Sequence, residues 1–136
     1  MKVIVEADGG SRGNPGPAGY GAVVRSTDGE VLLERCGGVG RATNNVAEYR
    51  GLIAGLAAAL ELGADEVVAR MDSKLVVEQM SGRWKIKHPD MVPLAVEAAS
   101  LVRRLSRVEF TWIPRAQNSA ADALANQAMD EQAAAR

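Results

Sequence analysis

The chain opens on a stretch that admits few folds. Lys2, Val3, Ile4 and Val5 run through Glu6 and Ala7 into Asp8, and straight on to Gly9, Gly10 and Ser11. β-Branched residues favour a pleated strand, and an acid followed by two glycines marks its end. Asp8 is therefore expected at a strand terminus with open backbone behind it. Alone it is a turn former, since an Asp carboxylate accepts hydrogen bonds from nearby backbone N–H groups. The positions of the other isolated acids decide whether it is more than that.

The stretch 9–19 is rich in Gly and Pro and predicts a tight, non-regular turn whose backbone can approach a ligand closely. Residues 20–25 and 31–36 read as two strands, with Asp28-Gly29 between them as a hairpin signal, so the first three strands form an antiparallel meander. Residues 37–42 read as a loop. Thr43, Asn44 and Asn45 are three candidate N-caps for a helix in which Tyr49, Leu52, Ile53, Leu56 and Leu60 recur at helical spacing before Gly63. A strand over 66–71 again ends on an acid, Asp72, and a short helix follows over 73–80. Residues 83–88 are basic with Trp84 inside them, and Pro89 suits the first turn of a helix carrying Leu94, Ala95, Ala98, Leu101, Val102 and Leu105. A strand over 108–113, a loop over 114–118 and a helix capped by Ser119, with Ala123, Leu124 and Met129 apolar, complete the chain.

The order β-β-β-α-β-α-α-β-α implies an α/β domain: a mixed five-stranded sheet, three strands antiparallel and then two parallel, with helices on both faces. Ligands in such sheets gather outside the carboxyl ends of the parallel strands. With 136 residues the chain suits one domain, set at 1–128, with 129–136 as a frayed helix end or linker. No apolar run approaches the ~20 residues that cross a bilayer, and no secretory signal is visible at the start. Cys36 is the single cysteine, which excludes an internal disulfide and fits a reducing compartment. A cytoplasmic protein without membrane attachment is expected. The net charge of −1 gives no global sign of a polyanion partner, so any such partner must meet a local patch.

Four acids stand out by position: Asp8 and Asp72 at strand ends, Glu48 in the first helix and Asp122 in the last. Each has a plainer reading, Glu48 closing a capping box with Asn45, Asp122 one with Ser119, and Asp72 capping the helix after it. The helical wheel opposes the first of these, because Glu48 falls on the side of Leu52, Gly55 and Ala59, facing the sheet. If parallel pairing aligns the first and fourth strands, Asp8 and Asp72 become neighbours. Like charges ~4 Å apart repel by about 4 kcal/mol at an effective dielectric near 20. A cluster of this kind calls for cations, and oxygen ligands without His or Cys point to Mg²⁺ or Mn²⁺. Two such ions activate a water and steady the leaving oxygen in phosphodiester hydrolysis.

Asp8-Gly9-Gly10-Ser11-Arg12-Gly13-Asn14-Pro15-Gly16-Pro17, Thr43-Asn44-Asn45-Val46-Ala47-Glu48-Tyr49, Met71-Asp72-Ser73 and Asn118-Ser119-Ala120-Ala121-Asp122 resemble, in order and over nearly the whole chain, the four signatures of type 1 ribonuclease H. The resemblance is nearest to the ribonuclease H domain that begins actinobacterial proteins carrying a phosphatase-like domain behind it. It implies a ribonuclease H-like fold and cleavage of the RNA strand of RNA/DNA hybrids to 5'-phosphate and 3'-hydroxyl ends; a monomer is expected. It further implies that Asp8, Glu48, Asp72 and Asp122 hold two ions, Mg²⁺ or Mn²⁺. Gly9, Gly10, Ser11, Asn44, Asn45 and Lys74 match positions along the RNA strand, where 2'-hydroxyls are read. Asn14 and Thr43 match positions that hold a DNA phosphate, and Trp84 a region that packs on DNA sugar, against the plainer reading of a partly buried core aromatic.

Two departures from the family stand out. Only Arg83 to Lys87 replaces a longer basic insertion, which implies weaker and more salt-sensitive hybrid affinity. Arg115 stands in the loop that often carries a His; it can meet a phosphate but cannot shuttle a proton at neutral pH. His88, the only histidine, reads as structural, and Glu6 is left open between the outer shell of the site and a buried polar spot. A proofreading exonuclease is disfavoured by Gly10 where an acid is needed, and an integrase-like transferase by Asn44-Asn45. The alternative from another class is a nucleic-acid-binding module of the same fold with a weak or decayed metal site.

Overall fold

The computed structural model describes residues 1–135. Its elements are β1 (Lys2–Ser11), β2 (Gly16–Ser26), β3 (Val31–Ala42), α1 (Asn44–Glu61), β4 (Glu66–Met71), α2 (Lys74–Met80), α3 (Val92–Val102), β5 (Arg107–Trp112) and α4 (Ser119–Ala134), with a 3-10 turn over Arg115–Gln117. The sheet order is β3-β2-β1-β4-β5. β1, β2 and β3 pair antiparallel, and β1, β4 and β5 pair parallel, as the sequence implied.

The alternation of β1 assigns each face a helix. Val3, Val5, Ala7 and Gly9 point toward α1, and Gly55 of α1 seats directly on Val5 and Ala22. Asp8 and Gly10 point the other way, toward α4, where Met129 lies over Gly10. Gly19 and Gly21 let α4 approach β2: a Cβ on Gly21 would lie 2.5 Å from the Ala121 carbonyl oxygen. The core under α1 is built from Leu52, Leu56, Tyr49, Met71 and Val76, all buried. Each such aliphatic side chain contributes about 1.5–3 kcal/mol on burial.

Several local expectations are corrected. β1 does not stop at Asp8 but pairs on to Ser11↔Ala18, and the irregular turn shrinks to residues 12–15. Residues 37–42 are strand, not loop: β3 pairs with β2 from end to end, with a register shift between Ala18 and Gly19. Poor strand propensity is overridden because Gly37 and Gly38 leave room for the side chains of Tyr20 and Gln132. α3 starts at Val92 with Pro93, not Pro89, in its first turn, and Leu105 lies beyond its end. Asn118, not Ser119, is the cap residue of α4, which buries Ala121, Ala125, Ala128 and Met129 and leaves Ala123 exposed.

Regular helix continues to Ala134, with Met129 buried and the Gln132 Oε1 accepting from the Gly40 N–H at 3.1 Å. Met129 and Gln132, within the stretch set apart in the sequence reading, thus reach the sheet at Gly10 and Gly38; Arg136 lies outside the described residues. Glu6 is a buried ion-pair centre, accepting from Arg25 Nε at 2.9 Å and lying 3.8 Å from Arg70. Among the described residues no helix is long and apolar enough to cross a membrane.

Candidate active site

Parallel pairing places Ala7 beside Met71, so the next residues along, Asp8 and Asp72, leave adjacent strands side by side. Glu48 comes to them from the second turn of α1. Its approach depends on two glycines: a Cβ on Gly9 would strike the Ala47 backbone, and one on Gly51 the Asp8 backbone. Thr43 caps α1, its hydroxyl accepting from the Val46 N–H at 3.3 Å, so the capping box between Asn45 and Glu48 does not form. Nor does Asp72 cap α2; the Ser73 hydroxyl does, accepting from the Val76 N–H at 3.3 Å. One carboxylate oxygen from each of Asp8, Glu48 and Asp72 lies within 4.8 Å of the others. Asp122 comes from α4 and lines the same cleft as Asp8, Glu48 and Asp72. Its Oδ2 accepts from Asn126 Nδ2 at 3.1 Å, and its Oδ1 lies 3.6 Å from Arg115. The Ser119–Asp122 capping box is absent, since Asn118 is the cap residue.

The cluster resists its own ionisation. Burial pushes the Asp8 carboxyl up to about 8, the negative charges of Asp72 and Asp122 add to this, and the Gly9 N–H opposes it. Burial likewise pushes Glu48 up to about 7, with the Ser73 hydroxyl opposing and Asp72 reinforcing. Such a set of hard oxygen donors, without His or Cys, fits a divalent cation of the Mg²⁺ type. Asn118 is fully buried beneath it, Nδ2 donating to the Ala7 carbonyl at 2.9 Å and to Asp72 Oδ1 at 3.4 Å. Among the described residues its own Oδ1 has no hydrogen-bond partner. Trp112 Nε1 donates to the Asp72 carbonyl at 3.1 Å and fixes the backbone there.

Above the carboxylates is a cleft of about 360 Å³ that also takes in Gly9, Gly10, Ser11, Asn44 and Arg115. Ser11, Asn14 and Asn44 are bound to one another. The Ser11 N–H donates to Asn44 Oδ1 at 2.8 Å, the Asn44 N–H to Asn14 Oδ1 at 3.0 Å, and the Asn14 N–H to the Ser11 hydroxyl at 2.9 Å. Thr43 opens instead onto a separate groove of about 660 Å³ with Arg41 and Arg50. Asn14, Asn45, Lys74 and Trp84 lie outside the cleft. Trp84 is 45% exposed, which removes its reading as a core aromatic. The sequence reading missed Arg12, Asn126 and Met129 on the cleft wall, and Ser73, Asn118 and Trp112 behind the acids. Asn126 had one available signal, its four-residue offset from Asp122 on a helix.

The family model described as "Reverse transcriptase-like" matches residues 6–128. The chain superposes on the solved N-terminal RNase H domain of Rv2228c from Mycobacterium tuberculosis with a TM-score of 0.96 and 63% identity, covering 98% of this chain and 96% of that one. RNase H1 of Halobacterium salinarum gives a TM-score of 0.93 at 46% identity, over 96% of this chain and 99% of that one. The chain belongs to the type 1 ribonuclease H family. Another ribonuclease H structure, LC11-RNase H1 in complex with an RNA/DNA hybrid, matches with a TM-score of 0.89 at 41% identity over 95% of this chain and 97% of that one. The bifunctional protein Rv2228c is 65% identical over 131 residues, 96% of this chain but only 36% of its own length. The ribonuclease H chain described here thus spans about a third of the curated mycobacterial relatives that it matches.

Proposed function

We propose that this chain is an endoribonuclease that hydrolyses the RNA strand of RNA/DNA hybrids to 5'-phosphate and 3'-hydroxyl ends, using two Mg²⁺ or Mn²⁺ ions held by Asp8, Glu48, Asp72 and Asp122. One observation carries it: three carboxylate oxygens from three separate elements lie within 4.8 Å, two of them on groups whose ionisation is suppressed by burial and by the charge of Asp72. LC11-RNase H1, similar over almost its whole length, is solved with an RNA/DNA hybrid.

Asp8, Glu48, Asp72 and Asp122 would hold the ions, which when bound would supply activation of the attacking water and charge neutralisation at the leaving oxygen. The rest falls to the chain's own residues. Asp8 and Glu48 must give up their protons before a cation can enter, so neutral to alkaline pH favours loading. Ser73 and Asn118 hold Glu48 and Asp72 in ligating orientation. The backbone of Gly9, Gly10 and Ser11, with Asn44 and Asn45, meets 2'-hydroxyls, and Lys74 lies along the same RNA strand. Asn14 and Thr43 take a DNA phosphate, and Trp84 packs on DNA sugar. Arg115, exposed beside Asp122, meets a phosphate at the cleft mouth. The protein is read as a cytoplasmic monomer joined to a second, phosphatase-like domain; the name "bifunctional" on its mycobacterial relative supports the linkage.

The test is cleavage of end-labelled hybrid, double-stranded RNA and double-stranded DNA with each cation in turn. Hybrid alone should be cut, and Asp72→Asn or Glu48→Gln should abolish cutting. Activity that survives chelator or Asp72→Asn removes the two-metal reading, and tight hybrid binding without any cutting replaces it with a binding module.

A further inference from the structure

The basic segment 83–88 has no helix or strand of its own, yet it carries Trp84, Lys85 and Lys87 into solvent. Arg83 is paired with Glu78, so the outward charge is that of the two lysines. The segment's start is fixed by the last turn of α2, where the Arg83 and Trp84 N–H groups both donate to the Glu78 carbonyl at 3.0 and 3.2 Å. Beyond that point Ile86 packs on the core, and one hydrogen bond reaches up from below: Gln79 Nε2 donates to the Lys85 carbonyl at 3.3 Å. Gln79 is itself only 6% exposed, and its Oε1 accepts from the fully buried Tyr49 hydroxyl at 2.7 Å.

This relay has one workable orientation. Turning the amide over would set Gln79 Oε1 against the Lys85 carbonyl and Nε2 against the Tyr49 hydroxyl, leaving two acceptors facing each other at the Lys85 end. The relay also begins beside the chemistry. Tyr49 directly follows Glu48 on α1, and α2, which bears Gln79, is capped by Ser73, the residue after Asp72.

We infer that Gln79 is a positioning residue: with Tyr49 it pins the Lys85 backbone, and so sets how the Trp84–Lys87 surface grips the hybrid relative to the carboxylates. This rests on the proposed role of that segment as a hybrid contact. Gln79 touches no substrate; it acts through the strap above it.

Three variants test the inference in the intact chain. Gln79→Met keeps the volume and removes both hydrogen bonds, and Tyr49→Phe deletes a single oxygen. Gln79→Met, which takes the bond from the Lys85 carbonyl, should raise KM for the hybrid about fivefold, the worth of roughly one buried hydrogen bond, and Tyr49→Phe, which only frees the Gln79 amide, should raise it by less, with kcat unchanged in both. Amide exchange across residues 84–88 should quicken by a similar factor, with the sheet unaffected. Magnesium affinity by calorimetry should stay at the wild-type value. The control is the double variant Lys85→Ala/Lys87→Ala. If it leaves KM unchanged, the segment is not at the hybrid and the inference falls with that reading. If it raises KM while Gln79→Met and Tyr49→Phe alter neither KM nor exchange, the role of Gln79 alone is overturned. A fall in kcat at constant KM overturns it as well.

Discussion

Asp8 illustrates how a residue can be right for function and wrong for stability. Its carboxyl goes from the ordinary 3.8 to about 8 on folding, and that of Glu48 from 4.5 to about 7. A carboxyl whose pKa is raised by folding stabilises the fold fully below its unfolded pKa, and that contribution is lost as pH climbs through the folded one. The cation-free protein should therefore melt at progressively lower temperature as pH rises from about 4 to 8. Magnesium should reverse the trend at the alkaline end, and Asp8→Asn should flatten it; differential scanning calorimetry across that range reads all three. Asn118→Ala and Ser73→Ala remove partners that orient the carboxylates, and each should weaken magnesium binding about 10- to 100-fold by titration calorimetry. The approach of Asp8, Glu48 and Asp72 to one another was legible because the ends of paired parallel strands and a helix wheel single out isolated charges. Asn118 and Ser73 were not, because a small polar residue beside a helix start reads first as a cap, and Ser73 is one. Glu6 illustrates the reverse: it shares a strand face with Asp8, but Arg25 and Arg70 neutralise it.

At the scale of elements, the spacing between β1 and α1 decides whether Glu48 can reach the cluster. That spacing has no slack at Gly9, where an added methyl would meet backbone rather than a movable side chain. Gly9→Ala should cost about 1–3 kcal/mol in denaturant unfolding and should weaken cation binding in parallel, since the helix must retreat with its carboxylate. Element order and sheet topology were legible from alternation, the Asp28-Gly29 hairpin and helical periodicity. The ends of β1 and β3 were not. Glycine is a poor strand former in the abstract, and only the neighbouring Tyr20 and Gln132 show why Gly37 and Gly38 are tolerated in a ladder. Pro89 and Pro93 are equally good helix openers by composition. The segment before Met91 is held by the bond of the Met91 N–H to His88, which leaves Pro93 inside the first turn.

For the whole molecule, a net charge of −1 means that hybrid affinity must come from a few well-placed cations rather than from a general field. Binding measured against salt should therefore show a modest slope, the reverse of the greater salt sensitivity expected from the short basic segment, because few cations release few counterions, and replacing Lys85 with Ala should reduce it by about 1. The carboxylates reach their meeting point from both sides of the sheet: Glu48 from α1 above, Asp122 from α4 below, Asp8 and Asp72 from the strands between. No half of this architecture owns a working centre. On the proposed two-metal reading, a chain without α4 lacks Asp122 and the surface that packs on Gly19 and Gly21 of β2, and should cut no hybrid.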